Sequence, residues 1–159
     1  MKKIAKSFVS LACVLMLIGC SCDKEAATSG GGMVVEDEAL RGAAADFIAN
    51  AGDRAFFAYD SSSLSSEAEA TLSRQADWLK NHPSRRVLIE GHCDERGTRE
   101  YNLGLGERRA DAAARFLTKH GIEGDRVRTI SYGKDRPIAV QGTTEEIHRM
   151  NRVAISVIE

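Results

Sequence analysis

The sequence predicts an α+β domain: a mixed four-stranded sheet with helices packed on one face, in the order β-α-β-α-β-(α)-β. Three observations lead there. Apolar runs at Arg54–Tyr59, Val87–Gly91, Asp125–Tyr132 and Val153–Ile158 have the length and composition of strands. The stretches between them place apolar residues at helical spacing, bounded by helix start and stop signals. The connections are long and hold helices, which favours parallel neighbours, while the last strand is free to pair antiparallel.

Taken in order, Arg54–Tyr59 (Arg-Ala-Phe-Phe-Ala-Tyr) is a short apolar strand that runs into the polar turn Asp60-Ser61-Ser62-Ser63. Ser66 and Glu69 have capping-box spacing, and Leu72, Ala76 and Leu79 recur on one helical face beside Trp78. Pro83 stops that helix, so it spans Glu67 to Asn81. Val87–Gly91 is apolar almost throughout and reads as an interior strand. The next helix, Arg99 to His120, ends at Gly121, a residue suited to a left-handed cap. At about 100° per residue its buried face is expected to hold Leu103, Ala110, Ala113, Ala114 and Leu117. Asn102, Leu105 and Arg109 share a narrow strip along the edge of that face, whereas Arg108 and Arg115 point to solvent. Asp125–Tyr132 is a third strand, closed by Gly133. A loop with Pro137 leads to a short helix begun by Thr143/Thr144 and Glu146, through Ile147 and Met150, and Val153–Ile158 closes the sheet. Phe56, Phe57, Trp78 and Phe116 read as core.

The two ends of the chain divide it into three parts. Residues 1–19 form a signal peptide, in which Lys2, Lys3 and Lys6 precede the apolar run Phe8–Ile18. That run is shorter than the roughly 20 residues a spanning helix needs. It ends in Leu17-Ile18-Gly19-Cys20, which resembles the lipobox of bacterial lipoproteins. Cleavage before Cys20 would expose a thiol for diacylglycerol and an amino terminus for a further acyl chain, and two or more chains anchor stably. Ser21, in place of an Asp after the lipidated cysteine, implies sorting to the outer membrane. Residues 20–50 then carry the lipidated Cys20, a flexible tether through Asp23–Glu38 with Ser29-Gly30-Gly31-Gly32, and a possible short helix at Glu36–Asn50. Residues 51–159 are the folded domain.

Composition excludes several function classes. The chain has 22 basic and 23 acidic residues; without the three leader lysines, 19 basic residues remain and the net charge is −4. That is no polycationic footprint, so nucleic acid is not an expected partner. No CxxC or HxxxH spacing points to a metal site, and no cofactor is expected. Gly104-Leu105-Gly106 lies within a helix rather than between strand and helix, so it is no dinucleotide fingerprint. Of four cysteines, Cys13 leaves with the signal and Cys20 is the lipidation site. The sequence leaves open whether Cys22 and Cys93 pair with each other, pair between chains or stay reduced.

The candidate site is the charged loop between the second strand and the long helix. Its residues Glu90-Gly91-His92-Cys93-Asp94-Glu95-Arg96-Gly97-Thr98-Arg99-Glu100-Tyr101-Asn102, followed by Leu105-Gly106-Glu107-Arg108-Arg109-Ala110, resemble the signature of the OmpA-like peptidoglycan-binding domains. Tyr59-Asp60, Ser131-Tyr132-Gly133-Lys134 with Pro137, and Asn151-Arg152 support the match. With the lipobox, the likeness is closest to the peptidoglycan-associated lipoproteins of the Tol–Pal system. The resemblance implies an OmpA-C-like fold and a non-catalytic role: an outer-membrane lipoprotein, facing the periplasm, that holds the diaminopimelate of the peptidoglycan stem peptide. That role ties the outer membrane to the wall and serves envelope integrity and cell division. By position, Asp94 takes the ligand's ammonium and Arg109 its carboxylate, and Asp60, Tyr59, Asn102 and Leu105 complete the wall. The implied partners are peptidoglycan, a TolB-like periplasmic protein, other Tol proteins or OmpA, and outer-membrane lipid through Cys20.

From the residues alone, Asp94 reads equally as a loop cap or a salt-bridge partner of Arg109, and His92 as a satisfied loop histidine. A wall hydrolase built on Asp94 or Glu95 with His92 is the rival from another class. No nucleophile elbow, zinc spacing or separated acid/base pair supports it. Cys93 departs from the family pattern, which has a small residue such as Thr or Ala there.

Overall fold

The computed structural model describes residues 31–140 and 144–159. The signal peptide, Cys20, Cys22 and the first part of the tether lie outside the described residues, as does Thr143.

The elements are α1 (Gly31–Asn50), β1 (Arg54–Phe56), α2 (Ser66–Asn81), β2 (Val87–His92), α3 (Arg99–Lys119), β3 (Val127–Gly133), α4 (Glu145–Asn151) and β4 (Val153–Ile158). The sheet order is β1-β4-β2-β3. β2 and β3 are parallel, joined through α3, while β4 is antiparallel to both β1 and β2. The last strand is thus inserted between the first two, and β1 and β2 are not neighbours. Alternation along the strands sets the two faces. Val87, Ile89, Ala154, Ser156 and Ile158 are buried, while Leu88, Glu90, Ile155 and Val157 on the opposite side keep part of their surface.

Several local expectations shift. The helix expected at Glu36–Asn50 begins at Gly31, so the end of the expected tether, residues 31–38, is helical. The C-terminal half of α1 also joins the core: Phe47 is buried and meets the Trp78 ring edge-on at 5.0 Å. The Trp78 indole N–H donates to the Asp46 carboxylate at 2.6 Å. α2 is capped by Ser65 rather than Ser66; the Ser65 hydroxyl accepts from the Ala68 amide at 3.2 Å. The first strand stops at Phe56, because Phe57 already bonds back to the Arg152 carbonyl as the chain turns. β3 begins at Val127, since Gly124–Arg126 form a 3-10 turn. On α3 the buried residues are Asn102, Leu105, Gly106, Arg109, Ala110, Ala113 and Leu117, whereas Leu103 is 48% exposed. The strip placed at the edge of the buried face therefore lies within it. The β1–α2 connection folds over that side of the helix and covers it.

The core is formed by Leu72, Ala76 and Leu79 of α2, Val87 and Ile89 of β2, Ala110, Ala113 and Leu117 of α3, Ala154 and Ile158 of β4, and Phe47. One fully buried polar residue sits among them. Gln75 donates to the Gly52 carbonyl at 2.7 Å and accepts from the Ser156 hydroxyl at 2.8 Å, joining α2 to the α1–β1 turn and to β4. Both of these bonds are made inside the protein, so the amide is not an isolated polar group in the core.

α3 lies directly on the β2 backbone at its end. A Cβ on Gly91 would fall on the Gly106 carbonyl group, 2.6 Å from its carbon, and a Cβ on Gly106 would stand 2.9 Å from the Gly91 oxygen. This contact accounts for Gly106 in a helix interior, and it brings the start of α3 against the loop that follows β2. Backbone atoms cannot rotate away as side chains can. Gly91→Ala and Gly106→Ala are therefore expected to lower stability by about 3 kcal/mol or more. Gly42 has nothing within 4 Å of an added Cβ, and Gly42→Ala on α1 is expected to add roughly 0.5–1 kcal/mol. Urea denaturation of the three variants checks both directions.

Candidate functional site

The loop after β2 is held by its own helix. Thr98 caps α3, its hydroxyl accepting from the Tyr101 amide at 3.2 Å. Asn102, in the first turn, reaches back to donate to the Arg96 carbonyl at 2.8 Å and the Thr98 carbonyl at 3.1 Å. Lys134, just past β3, donates to the carbonyls of Glu95 and Gly97 at 3.2 and 2.6 Å. Gly97 supplies the positive φ of +95° that the turn needs. Residues 94–98 are thus fixed by donors on two elements, which gives Asp94 a set position.

The opposite wall comes from the turn after β1. Asp60 has φ of 51°, a left-handed conformation that Asp tolerates better than most residues. The Tyr101 hydroxyl donates to its carboxylate. Tyr59 beside it is 60% exposed, and the Arg96 guanidinium lies over its ring, 4.1 Å from the centroid.

Arg109 joins the two walls. It is fully buried. Its Nε donates to the Ser61 carbonyl at 2.9 Å, Nη2 to the Ala58 carbonyl at 3.1 Å, and Nη1 to the His92 carbonyl at 2.8 Å and the Cys93 sulfur at 3.4 Å. Four of the five guanidinium hydrogens are used in this way. Among the described residues Arg109 makes no salt bridge. Asp94, the group expected to pair with it, instead binds Arg96 at 2.5 Å and Arg152 at 3.3 Å. The structural reading of an Asp94–Arg109 salt bridge is therefore corrected, because the carbonyls of residues 58, 61 and 92 hold Arg109 instead.

A cavity of about 110 Å³ opens between the walls, lined by all six candidate residues, Tyr59, Asp60, Asp94, Asn102, Leu105 and Arg109, together with Cys93, Arg96, Gly97, Tyr101 and Arg152. Sequence reasoning missed the roles of Arg96, Tyr101 and Arg152. Arg96 and Tyr101 belong to the recognised motif but follow no spacing that points to a pocket. Arg152 arrives from the far end of the chain, anchored by its Nε to the Phe57 carbonyl at 3.1 Å.

The electrostatics follow from burial and pairing. Burial pushes the Asp94 carboxyl up, but hydrogen bonds from Arg96 and Arg152 outweigh it and hold its pKa below the ordinary value. Burial pushes the Cys93 thiol up, so it stays protonated; it is a free, buried cysteine. Burial likewise lowers the His92 pKa, with the Arg136 carbonyl 3.0 Å from Nδ1 opposing the shift. His92 is the last residue of β2 rather than a loop residue, and its Nε2 has no hydrogen-bond partner. Among the described residues no group of three or more His, Cys, Asp or Glu is placed to hold a metal ion.

Because the folded pKa of Asp94 is depressed, native protein binds fewer protons there than unfolded chain. Its ion pairs contribute stability above the unfolded value of about 3.9, and that contribution is lost as pH falls through the folded value. The stability difference between wild type and Asp94→Asn is expected to shrink steadily as pH is lowered from about 5, as measured by urea midpoints.

Comparison with known proteins follows this geometry. The model of the OmpA family matches residues 56–151. The peptidoglycan-associated lipoprotein of Rhizobium meliloti (strain 1021) is 48% identical over 143 residues, covering 88% of this chain and 81% of that protein. That of Brucella melitensis biotype 1 is 43% identical over 160 residues, covering 99% and 95%. The crystal structure of the peptidoglycan-associated lipoprotein from Burkholderia pseudomallei has a TM-score of 0.65 and 40% identity over 67% of this chain and 90% of that one. The C-terminal domain of Helicobacter pylori MotB, at 18% identity and a TM-score of 0.61, shares the fold over 66% of this chain and 81% of its own. The chain belongs to the OmpA family, among its peptidoglycan-associated lipoproteins.

Proposed function

We propose that this chain is an outer-membrane lipoprotein, anchored through Cys20 and facing the periplasm, that binds peptidoglycan non-covalently and ties the outer membrane to the wall as part of the Tol–Pal system. The site is the cavity between the β1–α2 turn and the β2–α3 loop. It takes the diaminopimelate of a stem peptide, with Asp94 receiving the ammonium and Arg109 the carboxylate. Tyr59, Asp60, Asn102 and Leu105 form the walls. A TolB-like periplasmic protein is the second partner, with other Tol proteins or OmpA as further ones.

The observation that carries this reading is the state of Arg109. A fully buried guanidinium without a salt bridge among the described residues is a cation held by three carbonyl dipoles and a thiol sulfur. A carboxylate arriving in the adjoining cavity would complete it, and the guanidinium geometry suits that ligand. The oppositely charged end of a zwitterion finds Asp94 within the same cavity. The family is a wall-binding rather than a catalytic one. Binding of one stem peptide is modest, since partly exposed charge pairs contribute about 0–1 kcal/mol each. A lipid anchor beside a polymeric wall makes rebinding intramolecular and raises effective affinity by orders of magnitude.

Arg109→Ala is a poor first test, because it strands the buried His92 carbonyl, at about 1–3 kcal/mol, along with the part-buried carbonyls of Ala58 and Ser61, and so threatens the fold. Asp94→Asn keeps the shape and removes the charge. It is expected to weaken co-sedimentation with isolated peptidoglycan by about ten- to a hundredfold, the range for one charged hydrogen bond, while the thermal transition stays cooperative. Undiminished sedimentation would remove Asp94 from the site. Separately, Cys20→Ala is expected to release the protein from membranes, with no acyl label incorporated. Continued membrane retention of that unlabelled variant would refute the anchor.

A further inference from the structure

Asp94 is in the cavity but is not open to it. Its side chain is 5% exposed, and both its oxygens are already engaged. Two guanidinium groups cover it, and they differ. Arg152 is 7% exposed, tied to the Phe57 carbonyl and to Glu145 at 2.8 Å, so it forms the floor. Arg96 is 36% exposed and lies on the solvent side, spread over the Tyr59 ring. Its second nitrogen reaches Glu145 at 3.5 Å. Asp94, Arg96, Glu145 and Arg152 thus close a four-membered ring of alternating charge. Glu145 is the first residue of α4 and is 65% exposed.

The ring is uneven. The Arg96–Glu145 contact is long and exposed, the kind of pair that contributes least. Arg96 Nε is buried with no hydrogen-bond partner, so the closed position leaves one of its donors unmet and swinging outward would hydrate it. Nothing comparable favours movement of Arg152, whose three donor nitrogens are all engaged.

We propose that Arg96 is a displaceable cover over Asp94 and that Glu145 is the catch that keeps it closed. An incoming ammonium takes the place of the Arg96 guanidinium on Asp94, while Arg152 remains and keeps the carboxylate ionised. The apparent affinity is then the intrinsic affinity reduced by the fraction of molecules in which Arg96 has swung away. This rests on the reading of Asp94 as the ammonium acceptor, and it adds the residue that must move for that contact to form.

The test uses the full chain in detergent and a synthetic L-Ala-γ-D-Glu-meso-diaminopimelate tripeptide, with association and dissociation rates measured separately. Glu145→Gln weakens the catch, and Glu95→Gln, on the loop of Asp94 and Arg96 but outside the ring, removes the same charge. Glu145→Gln is expected to raise the association rate about two- to fivefold, the most an exposed pair supplies, with an unchanged dissociation rate and no change in Glu95→Gln. An equal gain in both variants would show simple charge attraction and overturn the proposal, as would no gain in Glu145→Gln. A second arm needs no ligand: rotation of the Arg96 guanidinium, followed by NMR, is expected to be slow in wild type and faster in Glu145→Gln. Equal rotation in the two would also overturn it. If wild type fails to bind the tripeptide, the diaminopimelate reading falls, and the NMR arm alone decides whether the catch exists.

Discussion

The pocket depends on one buried cation. Arg109 projects from the middle of α3 and collects carbonyls from the β1–α2 turn, at Ala58 and Ser61, and from the end of β2, at His92. Those segments are far apart in sequence and share no backbone ladder at these residues. A neutral side chain of the same length would lack donors for three carbonyls pointing at one spot; a guanidinium supplies them in a fixed plane. The cost is a charge taken out of water, which is severe unless it is well bonded. Backbone carbonyls meet that cost in part while leaving the positive charge formally unmatched. The same interaction that closes the fold here therefore leaves a buried positive charge beside the cavity, the feature on which the proposed carboxylate contact rests.

The rest of the cavity is organised around that imbalance. Asp94 sits on a loop that Asn102 and Lys134 hold from two sides, and its carboxylate stays ionised because Arg96 and Arg152 outweigh its burial. Asp60 enters from the other wall in a left-handed conformation held by Tyr101. The site contains Asp60, Asp94 and the nearby Glu145 against Arg96, Arg109 and Arg152. With charges of both signs around one cavity, the proposed zwitterionic ligand would leave neither sign stranded. Exact placement also requires that α3 lie hard against β2, and the Gly91–Gly106 backbone contact provides it. Glycine at both positions is a packing requirement of this contact.

Much of this was legible in the chain itself. The four strands, the three main helices and their order follow from apolar runs, caps and breakers, and β4 spans the same residues, Val153–Ile158, as the periodicity predicts. All six candidate pocket residues line a single cavity: Asp94, Asn102, Leu105 and Arg109 belong to one motif that contains both the loop and the helix start, while Tyr59 and Asp60 reach it from the β1–α2 turn. Two helix starts shift. Ser66 was expected as the cap where Ser65 serves, since adjacent serines of equal propensity leave the cap undetermined, and the helix before β1 begins at Gly31, five residues ahead of the expected Glu36, through glycines of low helix propensity.

Sequence by itself determined the class of fold and the charged loop, since these depend on local pattern and residue type; the ligand roles given to Asp94 and Arg109 rest on the family resemblance. Only the tertiary structure decided what each charge touches. Helical periodicity places Arg109 on an edge, but the β1–α2 turn covers that edge and makes the residue fully buried. Asp94 pairs with Arg152 from 58 residues away instead of with Arg109. Leu103, apolar and in phase with the buried residues, stands half exposed, although β3 reaches its backbone, where the Ser131 hydroxyl donates to its carbonyl at 2.6 Å. Burial and ion pairing are set by which distant segments meet. The order β1-β4-β2-β3, in which the last strand enters between the first two, is a property of the folded sheet and of no single stretch of chain.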